Sequence, residues 1–448
     1  MTDGSEIAEP GALVFSRQVA ITLAAKIAVA GSSLLAGIIV ARWLGAASVG
    51  IVGSLVVLTV LAINFGGFGI SSAITLLVAR DRAKVPGILG SAVITAFTSG
   101  GILTSVVVVL ALEQPTFFGE VPSQLVIITA VAIPFQMLYS FCLAILLGRG
   151  EIGRYNLFDM MAPIFFVINP MVAIILLGYG LFVLVTLNAG VNIVISLLLL
   201  FLIFQELRRD RESVQFKIQP ALIREMFGYG SRFFVAMAAA VVILRSDLLI
   251  VNYFRGSTEA GVYAVSTQVG TLLLLLPNVI STLLFPRVTK TRDETGSMTC
   301  RVVRHTVVIM IVVCLAAIPL SFVLPLFYGP AFAAIPIQVM ILLPGVAVLG
   351  ILSVQVQYFS SLGLPRIIPV YWVVTMIISI LFDIFLIPSF GAYAAAAISS
   401  LSYALVFFLV ALTFRRRTGK TLRETFLISV PEFRGLLNFG RKRSNSVA

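Results

Sequence analysis

Charged side chains are scarce in this sequence of 448 residues. Only 11% of the residues are Asp, Glu, Lys or Arg, while 59% are hydrophobic. A soluble domain carries about 25% charged residues to cover its surface, so the composition excludes an ordinary soluble globular protein. A membrane-spanning helix needs about 20 apolar residues, and runs of that length recur along the chain. We therefore expect an all-α integral membrane protein.

Cysteine, histidine and the common catalytic motifs are also scarce. The three cysteines, Cys142, Cys300 and Cys314, form no C-x-x-C pair, which argues against a metal site and against a disulfide framework. His305 is the single histidine. The sequence contains no G-x-x-x-x-G-K loop, no H-E-x-x-H and no G-x-S-x-G. We expect no enzymatic activity, no metal and no cofactor.

The apolar runs predict twelve transmembrane helices, six on each side of a central polar stretch. They lie near residues 17–41, 49–70, 86–111, 122–147, 155–177, 181–205, 230–254, 262–285, 303–327, 335–360, 367–387 and 393–414. The predicted domains are an N-terminal segment 1–16, an N-lobe 17–205, a linker 206–229, a C-lobe 230–414 and a basic tail 415–448.

The positive charges predict the orientation of these spans. Arg42 and Arg255 fall on one side of the membrane, Lys26 and Arg245 fall inside spans, and the rest of the 31 Lys and Arg residues share the side of the termini. By the positive-inside rule, both termini of this multi-pass protein face the cytoplasm across the cell membrane. This distribution accounts for the net charge of +12 without nucleic acid. The basic tail would attract anionic lipids, and ordinary anchoring at the membrane explains it as well.

An internal repeat relates the two sets of six spans. Gly45 follows one long apolar run and Gly256 another, and Gly178 corresponds in the same way to Gly391. Because each set has an even number of spans, both begin on the same side of the membrane. The repeats are therefore parallel, and repeats of this kind are typical of transporters with a site between the halves. We expect two six-helix lobes around a central cavity.

Two cations are predicted to lie deep in the membrane, where a charge costs at least about 2.5–3.5 kcal/mol on insertion scales. Lys26 lies about 13 Å deeper than Arg17, and Arg245 lies about 18 Å beyond Phe233, at 1.5 Å per helical residue. Both should therefore face a polar cavity. Fixed cations suit an anionic cargo such as a phosphate or pyrophosphate group.

Three acidic residues lie in or near the predicted spans, and the sequence leaves two alternative roles for each. Asp247 lies about 200° around the helix from Arg245, so we expect Arg245 to face the cavity and Asp247 to face a neighbouring helix. Asp247, Asp159 and Asp383 could each bind a coupling Na⁺ or H⁺, or serve only in helix packing. Asparagine and glutamine amides could contact sugar hydroxyls or join one helix to another.

Several of these residues belong to motifs of a known family. Residues 41–50 (A-R-W-L-G-A-A-S-V-G) resemble the element that follows the first span of polysaccharide flippases of the O-antigen type. These flippases belong to the multidrug/oligosaccharidyl-lipid/polysaccharide exporter superfamily. Residues 245–250 (R-S-D-L-L-I), with Gly256, Gly261 and Tyr263-Ala264, are similar to the family's seventh-span element. Similar matches occur at residues 326–332, 363–365 and 387–391.

The resemblance implies two six-helix lobes around a cationic cavity that opens alternately to each side. It implies translocation of a polyprenyl-pyrophosphate-linked oligosaccharide, with a polysaccharide polymerase or assembly proteins as partners. By motif match it carries substrate-binding roles to Arg42 and Arg245, and it also covers Asp247; Lys26 is added from its depth alone. Two alternatives remain: a cation-coupled drug exporter of the same fold, and a flippase for the lipid-linked peptidoglycan precursor.

Overall fold

A computed structural model describes residues 10–209, 220–291, 295–362 and 365–427. For some residues within the helices it describes the backbone and not the side chain. This part of the chain contains no strand, and ten of its helical segments are long and apolar enough to cross a membrane. The predicted all-α, multi-pass membrane fold is confirmed. The helices are α1 Pro10–Gly67, α2 Ile70–Arg80, α3 Val85–Glu113, α4 Ser123–Val131, α5 Ile133–Gly148, α6 Ile152–Pro170, α7 Leu181–Arg209, α8 Pro220–Arg255, α9 Ser257–Leu273, α10 Leu275–Thr291, α11 Ser297–Tyr328, α12 Ile335–Ser361, α13 Ile367–Thr418 and α14 Leu422–Phe426.

Two of the long helices are hairpins that bend at a glycine. The backbone leaves helical geometry at Gly45 in α1 and at Gly391 in α13. Tyr371 and Thr413 of α13 are hydrogen-bonded at 3.0 Å, whereas a straight helix would separate them by about 63 Å. The arms of α1 and α13 therefore correspond to predicted spans 1 and 2 and spans 11 and 12. The total of twelve crossings stays a prediction.

The repeat found in the sequence is also present in the backbone. Gly45 (φ 83°, ψ 173°) and Gly256 (φ 84°, ψ 169°) have nearly the same geometry. Gly178 (φ 67°) and Gly391 (φ 63°) also match in φ. Positive φ is accessible to glycine at little cost. Gly45 and Gly256 thus form the same kind of turn in the two halves of the chain, and Gly178 and Gly391 share a positive φ.

Buried side chains form two hydrophobic cores, one centred on α2–α7 and one on α9–α13. Three helices, α1, α7 and α8, contribute to both; in α7, Leu184 belongs to the second core and Val185 to the first. Val40 and Ala46 of α1 belong to the second core, and Leu222 and Met226 of α8 belong to the first. The linker at 206–229 stays a prediction: α7 continues to Arg209 and α8 begins at Pro220, while residues 210–219 lie outside the described part.

We expect Gly45→Ala to lower the thermal stability of the protein. A backbone with φ 83° and ψ 173° is essentially restricted to glycine and costs an L-residue about 1–3 kcal/mol, although a Cβ there would meet no atom within 4 Å. Gly31→Ala is the matched control, because Gly31 lies in the helical part of α1 and its Cβ would also be unobstructed. Melting temperatures in detergent measure both, and an unchanged value for G45A would contradict the hairpin.

Candidate functional site

The two halves of the repeat meet at the end of the molecule that carries Arg42 and Arg255, here called the outer end. A Cβ on Gly50 would lie 1.9 Å from the carbonyl oxygen of Ser257, and one on Gly261 would lie 2.0 Å from that of Ala46. Ala46 and Ser257 are equivalent in the repeat, as are Gly50 and Gly261. The contact is therefore symmetric, like a two-fold interface between identical subunits. We call these four residues the glycine crossing.

Two charged side chains bind the ends of helices at this junction. The Arg42 guanidinium donates to the carbonyl oxygens of Leu326 and Phe327, in the last turn of α11. The Glu120 carboxylate accepts a hydrogen bond of 2.7 Å from the backbone N–H of Ser257, which begins α9. A cation at a helix C-terminus and an anion at an N-terminus are both favoured by the helix dipole.

The position of Arg42 differs from the cavity position expected from the sequence. Its guanidinium binds backbone carbonyls at the outer end, and Arg42 is not among the residues that line the cavity described next. The physical reason is that the last carbonyls of a helix have no partner within the helix, and the long arginine side chain reaches them.

A cavity of about 340 Å³ lies between α1 and helices α8 to α10. Arg245 of α8 is its only charged lining residue in the described part of the chain, and Gln268 and Thr271 of α9 line it nearby. Arg245 thus lines a cavity, and its depth in the membrane and its role as a substrate-binding residue stay predictions. Lys26 lies on α1, but its side chain is outside the described residues; Val29, three residues further on, lines the cavity.

A second cavity of about 450 Å³ continues into the first half of the chain. It shares Ser33 and Phe166 with the cavity of Arg245. Its polar lining includes the amides of Gln136, Asn188 and Asn192. The two cavities together form an elongated hollow with a cation in one part and amides in the other.

Asp247 lies on the other side of α8 and is only 2% exposed. Its Oδ2 accepts hydrogen bonds from the Tyr263 hydroxyl at 2.5 Å and from the Ser399 hydroxyl at 2.8 Å. Its Oδ1 accepts from the backbone N–H of Leu248 at 2.8 Å. Asp247 therefore faces α9 and α13, in agreement with its angular separation from Arg245.

Asp383 of α13 lies close enough to Asp247 to interact with it electrostatically. It is also 2% exposed, and its Oδ1 has no hydrogen-bond partner in the described structure. A buried, unpaired carboxylate charge is costly, so such a group is normally neutralised by a proton or a cation. Asp159 lies apart from Asp247 and Asp383. It is half-buried on α6 and interacts with Tyr139.

Three polar residues that form hydrogen bonds in these sites were not identified from the sequence, namely Tyr263, Ser399 and Glu120. Tyr263 lies within the motif at residues 261–264, so its pairing with Asp247 had a sequence signal. Ser399 is an ordinary serine in an apolar run, and Glu120 lies in a loop between spans. Nothing local in the sequence indicates that these two contact α8 or α9.

Comparisons with known proteins place the chain in a family. A family model described as "Polysaccharide biosynthesis protein" matches residues 15–292. No curated protein sequence matches the chain significantly. Among solved structures, one described as "Lipid II flippase MurJ, inward closed conformation" has a TM-score of 0.70 at 16% identity, with 88% of this chain and 87% of that chain covered.

Multidrug transporters have the same fold. An inward-facing transporter of the MATE family, described as a member of the MOP superfamily, has a TM-score of 0.63 at 16% identity, with 87% of this chain and 94% of that chain covered. An outward-facing one has a TM-score of 0.58 at 15% identity, covering 90% and 94%. At these identities the likeness shows the fold alone, and the fold is shared by flippases and drug transporters.

We expect Gly50→Ala to open the junction at the outer end, because no Cβ fits 1.9 Å from the Ser257 carbonyl oxygen. A cysteine at Gln268, which lines the cavity, reports the opening through its reaction with an impermeant maleimide in right-side-out vesicles. The three native cysteines are first replaced by alanine. Gly101→Ala is the control, since its Cβ would meet nothing within 4 Å. Equal labelling of G50A and G101A would contradict the role of the glycine crossing.

Proposed function

The chain belongs to the polysaccharide biosynthesis protein family, and from this premise we propose that it is a flippase for a polyprenyl-pyrophosphate-linked oligosaccharide. In this proposal it lies in the cytoplasmic membrane with both termini inside and works by alternating access. The observation that carries the proposal is Arg245, the one charged residue of the described part that lines the cavity between the halves. A guanidinium binds phosphate oxygens through paired donors, and its attraction is stronger in a low-dielectric site than in water.

The other lining residues suit the rest of such a cargo. The amides of Gln136, Asn188 and Asn192 offer donors and acceptors to sugar hydroxyls. A third cavity of about 500 Å³, mostly apolar, lies between Leu58 and Phe118 of the first half and Ile250 of the second. Its surface suits the polyprenyl chain, which would stay in contact with the bilayer. A polysaccharide polymerase or assembly proteins would receive the product.

The two alternative cargoes make different demands on the cavity. An organic cation carried by a drug exporter would be repelled by Arg245. A lipid-linked peptidoglycan precursor carries the same kind of anionic head as the proposed cargo, so Arg245 suits both flippases. Complementation of a strain that lacks one pathway or the other separates these two lipid-linked cargoes.

We further propose that Asp247 and Asp383 bind the coupling ion, either Na⁺ or H⁺. Support comes from their burial, their proximity and the unpartnered Oδ1 of Asp383. The hydroxyl oxygens of Tyr263 and Ser399 lie beside Asp247, and hard cations prefer such oxygen ligands. Asp159 is further from this cluster and is assigned a packing role.

We expect Arg245→Ala to abolish export of lipid-linked glycan, because the cavity would lose its described cation. Arg245→Lys should retain part of the activity, since lysine keeps the charge but not the paired donors. Arg415→Ala, which removes an exposed charge at the end of α13, is the control for net charge. Complementation of a flippase-deficient strain measures export, with the amount of inserted protein determined by immunoblot. Full export by R245A would refute the role.

We expect Na⁺ to raise the melting temperature of the wild type relative to K⁺ if Na⁺ is the coupling ion, since a ligand of the folded state stabilises it. Asp383→Asn should lose this shift, whereas Asp159→Asn should keep it. If Na⁺ has no effect, transport in proteoliposomes under a pH gradient tests the proton, again with D383N as the inactive variant. Wild-type behaviour of D383N in both assays would rule out the site.

A further inference from the structure

The segment after the last long helix folds back onto the end of the molecule opposite the glycine crossing, here called the inner end. Arg304 of α11 donates a hydrogen bond to the carbonyl oxygen of Glu424 in α14. The rings of Phe407 and Phe426 pack with centroids 5.3 Å apart. Thr425 is 1% exposed. These contacts fix α14 against α11 and α13.

A polar pocket of about 370 Å³ lies between the first turns of α11 and this segment. Arg301, Arg304 and Lys420 line it, and Glu424 is its only lining carboxylate in the described structure. Hydrogen bonds from the backbone N–H and the hydroxyl of Thr421 already occupy Glu424 Oε2. The same bonds hold the pKa of Glu424 below its usual value, so this carboxylate stays charged. Among the described lining residues, Arg301 and Lys420 alone outnumber the one carboxylate, so this lining carries a net positive charge.

Cations at the inner end of the first half are arranged differently. Lys84 pairs with Glu225 at 3.7 Å, and Arg149 pairs with Glu151 at 2.7 Å and with Glu206 at 3.1 Å. Within the described part of the chain, no salt bridge neutralises Arg301 or Lys420. Like charges that share a pocket repel one another, and a bound anion would remove this repulsion.

We propose that the pocket of Arg301, Arg304 and Lys420 binds a phosphate group, namely the phosphodiester head of an anionic lipid in the adjacent leaflet. Arginine and lysine together provide the paired donors and the point charge that bind phosphate. The depth of the pocket supports a lipid as the source. Arg301 lies in the second turn of α11, and Lys420 follows the last residue of α13 by two positions, so both lie near the ends of apolar helices. This site is separate from the cavity of Arg245 and does not depend on the proposed cargo.

The test uses the full-length protein purified in a neutral detergent. Arg301→Gln/Lys420→Gln removes two charges from the pocket. Arg415→Gln/Arg416→Gln removes two exposed charges outside it and serves as the matched control. Melting temperatures are measured with phosphatidylglycerol, with phosphatidylcholine and with inorganic phosphate. Native mass spectrometry at low temperature counts bound phosphatidylglycerol, so a variant that is less stable without lipid can still be assessed.

We expect phosphatidylglycerol, and not phosphatidylcholine, to raise the melting temperature of the wild type and of the control variant. The pocket variant should lose most of this shift together with its retained lipid. If inorganic phosphate alone gives the same pattern, the phosphate site stands and its ligand is a free anion. Equal shifts and equal bound lipid in the two variants would overturn the proposal, because the effect would then follow net charge alone.

Discussion

The arrangement of the molecule depends on the close backbone contact at the glycine crossing. Lipid tails are as apolar as leucine, so burial of apolar surface gives little attraction between helices inside a membrane. Close packing of small residues and helix-end electrostatics must therefore join the two halves. Gly50 and Gly261 provide the first, and Arg42 and Glu120 provide the second. In the proposed alternating access, these are the contacts that must separate and re-form.

The second constraint is the free-energy cost of placing a charge in a low-dielectric medium. Helix α8 carries one charged residue on each of two faces, and each has a polar environment. Arg245 faces the hollow between the halves, while Asp247 accepts hydrogen bonds from Tyr263 and Ser399. In the proposed mechanism one helix thus carries both the contact to the cargo and the contact to the coupling ion. An ion that shifts α8 at Asp247 would also displace Arg245, and the coupling between two such sites is reciprocal.

Sequence patterns predicted those features that depend on local geometry. Apolar run length predicted the helices, the repeat predicted the matched glycine turns, and the angular separation of Arg245 and Asp247 predicted their opposite faces. Arg42 was placed in the cavity because a motif identifies a residue and not its partner. Its partners are carbonyl groups almost 300 positions away, and any helix end could have provided them. Glu120 and Ser399 were missed for the same reason, since no local pattern reports which distant backbone or side chain they meet.

A fold shared by flippases and drug transporters does not determine the cargo, so the sign of the cavity charge must decide. At an effective dielectric constant of about 20 and a separation of about 6 Å, two unit charges interact by about 3 kcal/mol. Arg245 would therefore weaken binding of a monovalent organic cation about 100-fold and favour a monovalent anion by the same factor. A pyrophosphate diester carries two negative charges and gains about twice this energy. In the proposed mechanism the charge of Arg245 thus favours an anionic cargo over a cationic one by several kcal/mol.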